Sequence, residues 1–142
     1  MNLSYQEKSI WVILISTVLV FGSYFYAAFK LFPFTSFPNS PLIALFIGTI
    51  VGYIILQIIL HIGLALFHVK EAEGDTDERD ALIELKATRI SYFVLIFGVW
   101  VAGCSMFLFI STVTMANIIM FFFVLAEIIG NVVQLYYYRR GF

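Results

Sequence analysis

Four long runs of apolar residues dominate this sequence and decide which solvent it folds in. Glu127 is the only acidic residue inside the runs, which are Ile10–Phe29, Leu42–Phe67, Ile90–Ile110 and Ala116–Tyr138. Each run has about the 20 residues that an α-helix needs to cross a bilayer core of about 30 Å. The pattern predicts an integral membrane protein with four transmembrane helices.

The composition of the 142 residues agrees with a single membrane domain over 1–142. Hydrophobic residues make up 62% of the chain and charged residues only 12%, far from the balance of a soluble domain. The net charge is −1 and the basic residues are scattered, so we expect no nucleic-acid partner. Cys104 is the only cysteine, which excludes an internal disulfide and a CxxC motif.

The distribution of lysine and arginine predicts how the helices are oriented. One predicted side carries Lys30 alone, and the other carries Lys8, Lys70, Arg79, Lys86, Arg89, Arg139 and Arg140. Because cytoplasmic flanks collect basic residues, both termini and the segment 68–89 are predicted to be cytoplasmic. The link at about Ser111–Thr114 is short enough to make the third and fourth helices antiparallel neighbours. We therefore predict an all-α fold, a four-helix up-down bundle with a cytoplasmic helical extension between helices 2 and 3.

The cytoplasmic segment is strongly acidic. Together with Glu84, the stretch Glu71–Asp80 holds seven of the nine acidic residues. Gly74 is expected to end the preceding helix, and Asp75 with Glu78 resembles a capping box that starts a new one. We expect this helix to continue unbroken into the third span.

Two interpretations of this segment stay open. The acidic residues either keep a helix solvated or form a docking surface for a cytosolic regulatory protein. A built calcium site is disfavoured because the glycine and the closing glutamate of an EF-hand loop are missing. The residues of the hypothetical docking surface are Asp77, Glu78, Arg79, Asp80 and Glu84.

The same stretch carries a resemblance to a protein family. Asp77-Glu-Arg-Asp80 followed by Ile83, Glu84, Lys86 and Ala87 resembles a motif of small bacterial membrane proteins without an assigned activity, some encoded beside helix-turn-helix regulators. The similarity covers about a dozen residues and the hydropathy plan. It implies a bacterial inner-membrane location and a regulatory partner, and it transfers no catalytic residue.

Polar residues inside the fourth run need an explanation. Glu127, Asn131 and Gln134 share a sector of about 60° when the run is drawn as a helix. An ionised carboxylate in mid-membrane is costly, so Glu127 is expected to be neutral or to meet a partner inside the bundle.

The second run offers such partners. Tyr53, Gln57 and His61 recur at spacings of four, and counting depth from the outer ends places them level with Glu127, Asn131 and Gln134. We predict that the two ladders form one interior polar cluster, with Ser16 and Thr17 at a similar depth. The cluster either holds the helices in register or forms a proton-linked or ligand-binding site.

Small residues mark faces where helices can approach closely. Gly48 and Gly52 form a GxxxG pair, and Gly63 falls on nearly the same side of the second run. This face is expected to pack tightly on another helix, within the bundle or in a homodimer. Gly98 with Ala102, and Ala126 with Gly130, repeat the spacing.

The sequence determines the architecture of the protein more closely than it determines the function. The chain has no Ser/His/Asp set, no HExxH motif, no phosphate loop and no metal-ligand cluster, so we expect neither an enzyme nor a cofactor or metal site. The preferred hypothesis is a binding or regulatory, sensor-like membrane protein that couples its polar cluster to the acidic helix. The alternatives are a proton-linked small-solute transporter acting as a dimer through Glu127 and a purely structural membrane subunit.

Overall fold

A computed structural model of the chain describes residues 5–31, 40–67 and 78–140. These residues form four long helices and one short one, which are α1 (Tyr5–Leu31), α2 (Ser40–Phe67), α3 (Glu78–Ser105), a 3₁₀-helix (Met106–Leu108) and α4 (Thr112–Arg140). All four α-helices are long and apolar enough to cross a membrane. The prediction of an all-α protein with four long helices is confirmed.

Local sequence explains several helix limits. Pro41 lies in the first turn of α2, where a missing N–H costs nothing because that group has no partner within the helix. The Ser111 side chain accepts a hydrogen bond from the Thr114 backbone N–H at 3.2 Å, so Ser111 caps α4. The fourth helix therefore begins at Thr112 instead of the predicted Ala116.

The link between α3 and α4 differs from the prediction. The third apolar run was expected to stay helical to Ile110, but α3 ends at Ser105. Phe109 adopts a left-handed conformation (φ 53°), and the Ile110 N–H donates to the Ser105 carbonyl. This 6→1 bond satisfies a carbonyl at the helix end and turns the chain back along α3.

The acidic extension is part of α3, which runs without a break from Glu78 to Ser105, as predicted. Gly74, Asp75 and Asp77 lie outside the described residues, as does His68, so the predicted capping box stays a prediction.

Helices α3 and α4 form the tightest pair. A Cβ added at Gly98 would overlap the Cβ of Phe122, and one added at Gly130 would overlap the Ser91 hydroxyl. The Ser91 Oγ donates to the Ala126 carbonyl at 3.0 Å, a contact that only a close backbone approach permits. The two helices are antiparallel, because later residues of α3 meet earlier residues of α4.

The order of packing is α2, α1, α4, α3. The core between α1 and α4 contains Phe21, Tyr24, Met120 and Val124, and the Tyr24 hydroxyl donates to Asn117 at 2.8 Å. Helix α2 packs mainly on α1. Only 6% of the apolar window of α2 is buried, against 33% for α4, so most of α2 faces outward from the chain.

Candidate functional site

A polar seam joins α1 to α2. The Thr17 hydroxyl donates to the Ile13 carbonyl and so accepts from the Tyr53 hydroxyl, 2.7 Å away. The Gln57 amide donates to the Tyr53 hydroxyl at 2.7 Å and to the Ser16 hydroxyl at 2.9 Å. This polar seam, defined as Ser16, Thr17, Tyr53 and Gln57, holds two elongated apolar helices at one register.

His61 extends the contact by one turn. One ring nitrogen, Nδ1, lies 2.9 Å from the Gln57 carbonyl, and the other, Nε2, lies 3.3 Å from the Ser9 hydroxyl. A neutral ring that donates from Nδ1 and accepts at Nε2 satisfies both contacts. Both nitrogens are engaged, so His61 acts here as a link between the two helices.

One atom of the seam has no partner. The Gln57 Oε1 atom is buried without a hydrogen bond from the described residues, while both amide hydrogens of Gln57 are used. Reversing the amide would instead put its NH₂ group in that position, without an acceptor. The seam therefore contains one buried polar atom without a partner among the described residues.

Replacing Tyr53 with phenylalanine tests the seam. The Tyr53→Phe variant loses the bond to Thr17 and leaves one Gln57 N–H without its acceptor. We expect a stability loss of about 0.6–1.7 kcal/mol, the range of hydrogen bonds between membrane helices. The measurement is unfolding by SDS titration in mixed micelles, and Tyr92→Phe, on an exposed face, is the matched control. Equal stability of the two variants would contradict the seam.

The predicted pairing of the α2 ladder with α4 is wrong. Tyr53, Gln57 and His61 meet hydroxyls of α1, and α1 lies between α2 and α4. Depth counting could not distinguish which helix supplies the partners. Ser16 and Thr17, expected only at a similar depth, are the actual partners.

The three polar residues of α4 lie in different surroundings. Glu127 is exposed instead of turned into a closed interior, and no described residue hydrogen-bonds its carboxylate. Asn131 is buried and donates to the Glu127 backbone carbonyl at 2.8 Å, so its amide is satisfied within its own helix. Gln134 is half-buried on the same helix. A ligand or proton role for these residues stays a prediction.

An apolar cavity of about 490 Å³, open along part of its surface, is lined by residues of all four α-helices. Every helix contributes to its wall, through Phe21, Phe46, Ile50, Tyr53, Ile54, Leu95, Ala116, Ile119, Met120 and Phe123. This cavity has no signal in the sequence, because its lining consists of ordinary apolar residues with no distinguishing spacing. Its volume falls in the range that holds drug-sized molecules.

Glu127 lies on the cavity side of α4. It follows Phe123 by four residues and Ala116 by eleven, rotations of only about 40° and 20° around the helix. Gln57 holds the equivalent place on α2, four residues after Tyr53 and seven after Ile50. Each polar residue therefore lies about one turn beyond the cavity-lining residues of its helix, and neither lines the cavity itself.

The hypothetical docking residues lie at the other end of α3. Glu78, Arg79 and Glu84 are exposed, and Asp77 lies outside the described residues. Asp80 is half-buried and lies near the Tyr138 hydroxyl of α4. The acidic end of α3 therefore lies beside α4, and its use in docking stays a prediction.

The expected tight packing at Gly48, Gly52 and Gly63 does not occur among the residues that the structure describes. A Cβ added at any of the three would meet no atom within 4 Å. The close approach occurs instead at Gly98 and Gly130, where the other two small-residue pairs fall. A homodimer through the glycine face of α2 stays a prediction.

The comparisons with known proteins add no family to this picture. The sequence matches no family model, and no curated protein or solved structure is significantly similar to it.

Proposed function

We propose that the chain is a multi-pass membrane protein with a sensor-like role, which binds a small lipid-soluble molecule between its helices. The observation that carries the proposal is the 490 Å³ cavity, whose wall includes Leu95 of α3. Because α3 continues unbroken from Leu95 to Glu78, occupancy of the cavity would act on a rigid element that ends in the acidic segment. The up-down bundle thereby joins an intramembrane site to a cytoplasmic surface.

The proposed orientation has both termini and the acidic segment in the cytoplasm. Antiparallel contacts between successive packed helices support it, since Ser9 meets His61 and Tyr24 meets Asn117. Arg139 and Arg140 end α4 on the proposed inner side, and Lys30 ends α1 on the other. The bacterial inner membrane is the proposed location on the strength of the motif resemblance.

Photolabelling with a neutral apolar probe tests the binding. In phosphatidylcholine nanodiscs, photoactivated benzophenone is expected to label the cavity wall at Ile119–Phe123, with Met120 the main site. Excess unreactive competitor of the same shape should suppress this labelling, because a cavity saturates and bulk lipid does not. Mass spectrometry of the peptides measures both the sites and the saturation.

A matched pair of variants makes the test specific. Ala116→Phe fills the cavity from its wall, whereas Ala44→Phe adds the same ring to an exposed position of α2 that does not line it. We expect the first variant to lose the saturable labelling and the second to keep it. Labelling spread over outward-facing residues, equal in both variants, would refute the binding site.

A further inference from the structure

The chemistry of the cavity and its rim identifies a class of ligand. The cavity wall is apolar, so it accepts the body of a hydrophobic molecule. About one turn away, in the sector of α4 that lines the cavity, lies the Glu127 carboxylate, which has no partner among the described residues. A carboxylate accepts hydrogen bonds and carries a negative charge when ionised.

Glu127 carries the charge at this end of the cavity. No lysine or arginine occurs inside the four apolar runs, so Glu127 has no basic side chain at its own depth in the chain. His61 is the nearest basic residue along α2, and its two ring nitrogens are engaged by Ser9 and the Gln57 carbonyl. An acidic group with no internal counter-charge, beside an apolar cavity, complements a ligand that carries a positive charge and N–H donors.

We infer that the cavity binds a small lipophilic amine, whose apolar body fills the space among the four helices and whose protonated nitrogen is held by Glu127. The inference rests on the proposed function and assigns its ligand. A free amine is the occupant, because the cavity volume matches a drug-sized molecule.

The experiment compares an amine with a neutral molecule of the same shape. 4-(Aminomethyl)benzophenone and 4-(hydroxymethyl)benzophenone compete for the benzophenone labelling of Met120 in phosphatidylcholine nanodiscs, with empty nanodiscs correcting for partition. We expect the amine to compete about 10- to 100-fold more strongly, the gain that a charge-assisted hydrogen bond gives. In Glu127→Gln, the amine should fall to the strength of the alcohol.

The two competitors and the Glu127→Gln variant distinguish this inference from the proposed function. Benzophenone labelling of Met120 in Glu127→Gln shows that the variant folds and that its cavity binds. If labelling is saturable but amine and alcohol compete equally in the native chain, the amine inference is refuted while the cavity site stands. An unchanged advantage of the amine in Glu127→Gln also refutes it. Loss of amine competition in nanodiscs that contain phosphatidylethanolamine would overturn the assignment of a free amine and identify a lipid headgroup instead.

Discussion

Gly98→Ala is expected to destabilise the protein by about 1–3 kcal/mol, the cost of forcing extra atoms into a closely packed contact. The added methyl would overlap the Cβ of Phe122, an atom fixed to the α4 backbone that no rotamer change can move. The two helices must therefore separate, which also weakens the contact at Gly130 and Ser91. SDS titration in mixed micelles measures the loss of unfolding free energy.

The control is the same substitution on a face that meets nothing. Gly52→Ala adds its methyl where no atom lies within 4 Å, so we expect it to be neutral or stabilising by up to about 1 kcal/mol through helix propensity. A double variant, Gly98→Ala with Phe122→Gly, should lose less than the sum of the single variants, because the colliding Cβ is absent. Equal effects of Gly98→Ala and Gly52→Ala would show that α3 and α4 do not approach closely at this level.

These glycines show which part of the helix packing can be predicted from the sequence. The small-residue spacing in the third and fourth runs predicts close packing, and the structure places that packing at Gly98 and Gly130. The same spacing at Gly48 and Gly52 predicts it equally well, yet no other described residue packs closely on that face. A spacing shows only that a helix permits close approach, and which helix approaches is decided by packing of the whole bundle.

The sequence likewise predicts only part of the polar seam. Periodicity correctly groups Tyr53, Gln57 and His61 on one face of a helix, but depth alone allowed α4 or α1 to supply their partners. Ser16 and Thr17 are weak signals, since a hydroxyl in a helix is often satisfied by its own backbone. Both do bond their backbone, and they also accept from α2.

Hydropathy placed the start of the fourth helix too late. The Ser111 cap seen in the structure starts α4 at Thr112, whereas the apolar run begins at Ala116. The end of α3 at Ser105 has no comparable signal, because apolar residues continue to Ile110 and Phe109 takes the left-handed turn that glycine usually occupies.

Ile83→Ala is expected to cost about 2–4 kcal/mol, although Ile83 lies in the charged extension of α3 instead of an apolar run. Its side chain is completely buried, as is that of Ala87 one turn later. Around this contact Asp80 lies near the Tyr138 hydroxyl, and the Lys86 ammonium lies 5.6 Å from the centre of the Tyr137 ring. The extension is thus packed along α4 as part of the bundle.

Leu85→Ala is the control for Ile83→Ala, because Leu85 is 66% exposed on the same two turns of α3. We expect it to change stability by less than about 0.5 kcal/mol, as surface substitutions usually do. Equal losses for the two variants, measured by the same SDS titration, would mean that another face of α3 is packed. Attachment of the extension matters for the proposed function, because a helix that hung loose from α4 could not transmit a shift at Leu95 to the exposed carboxylates of Glu78 and Glu84.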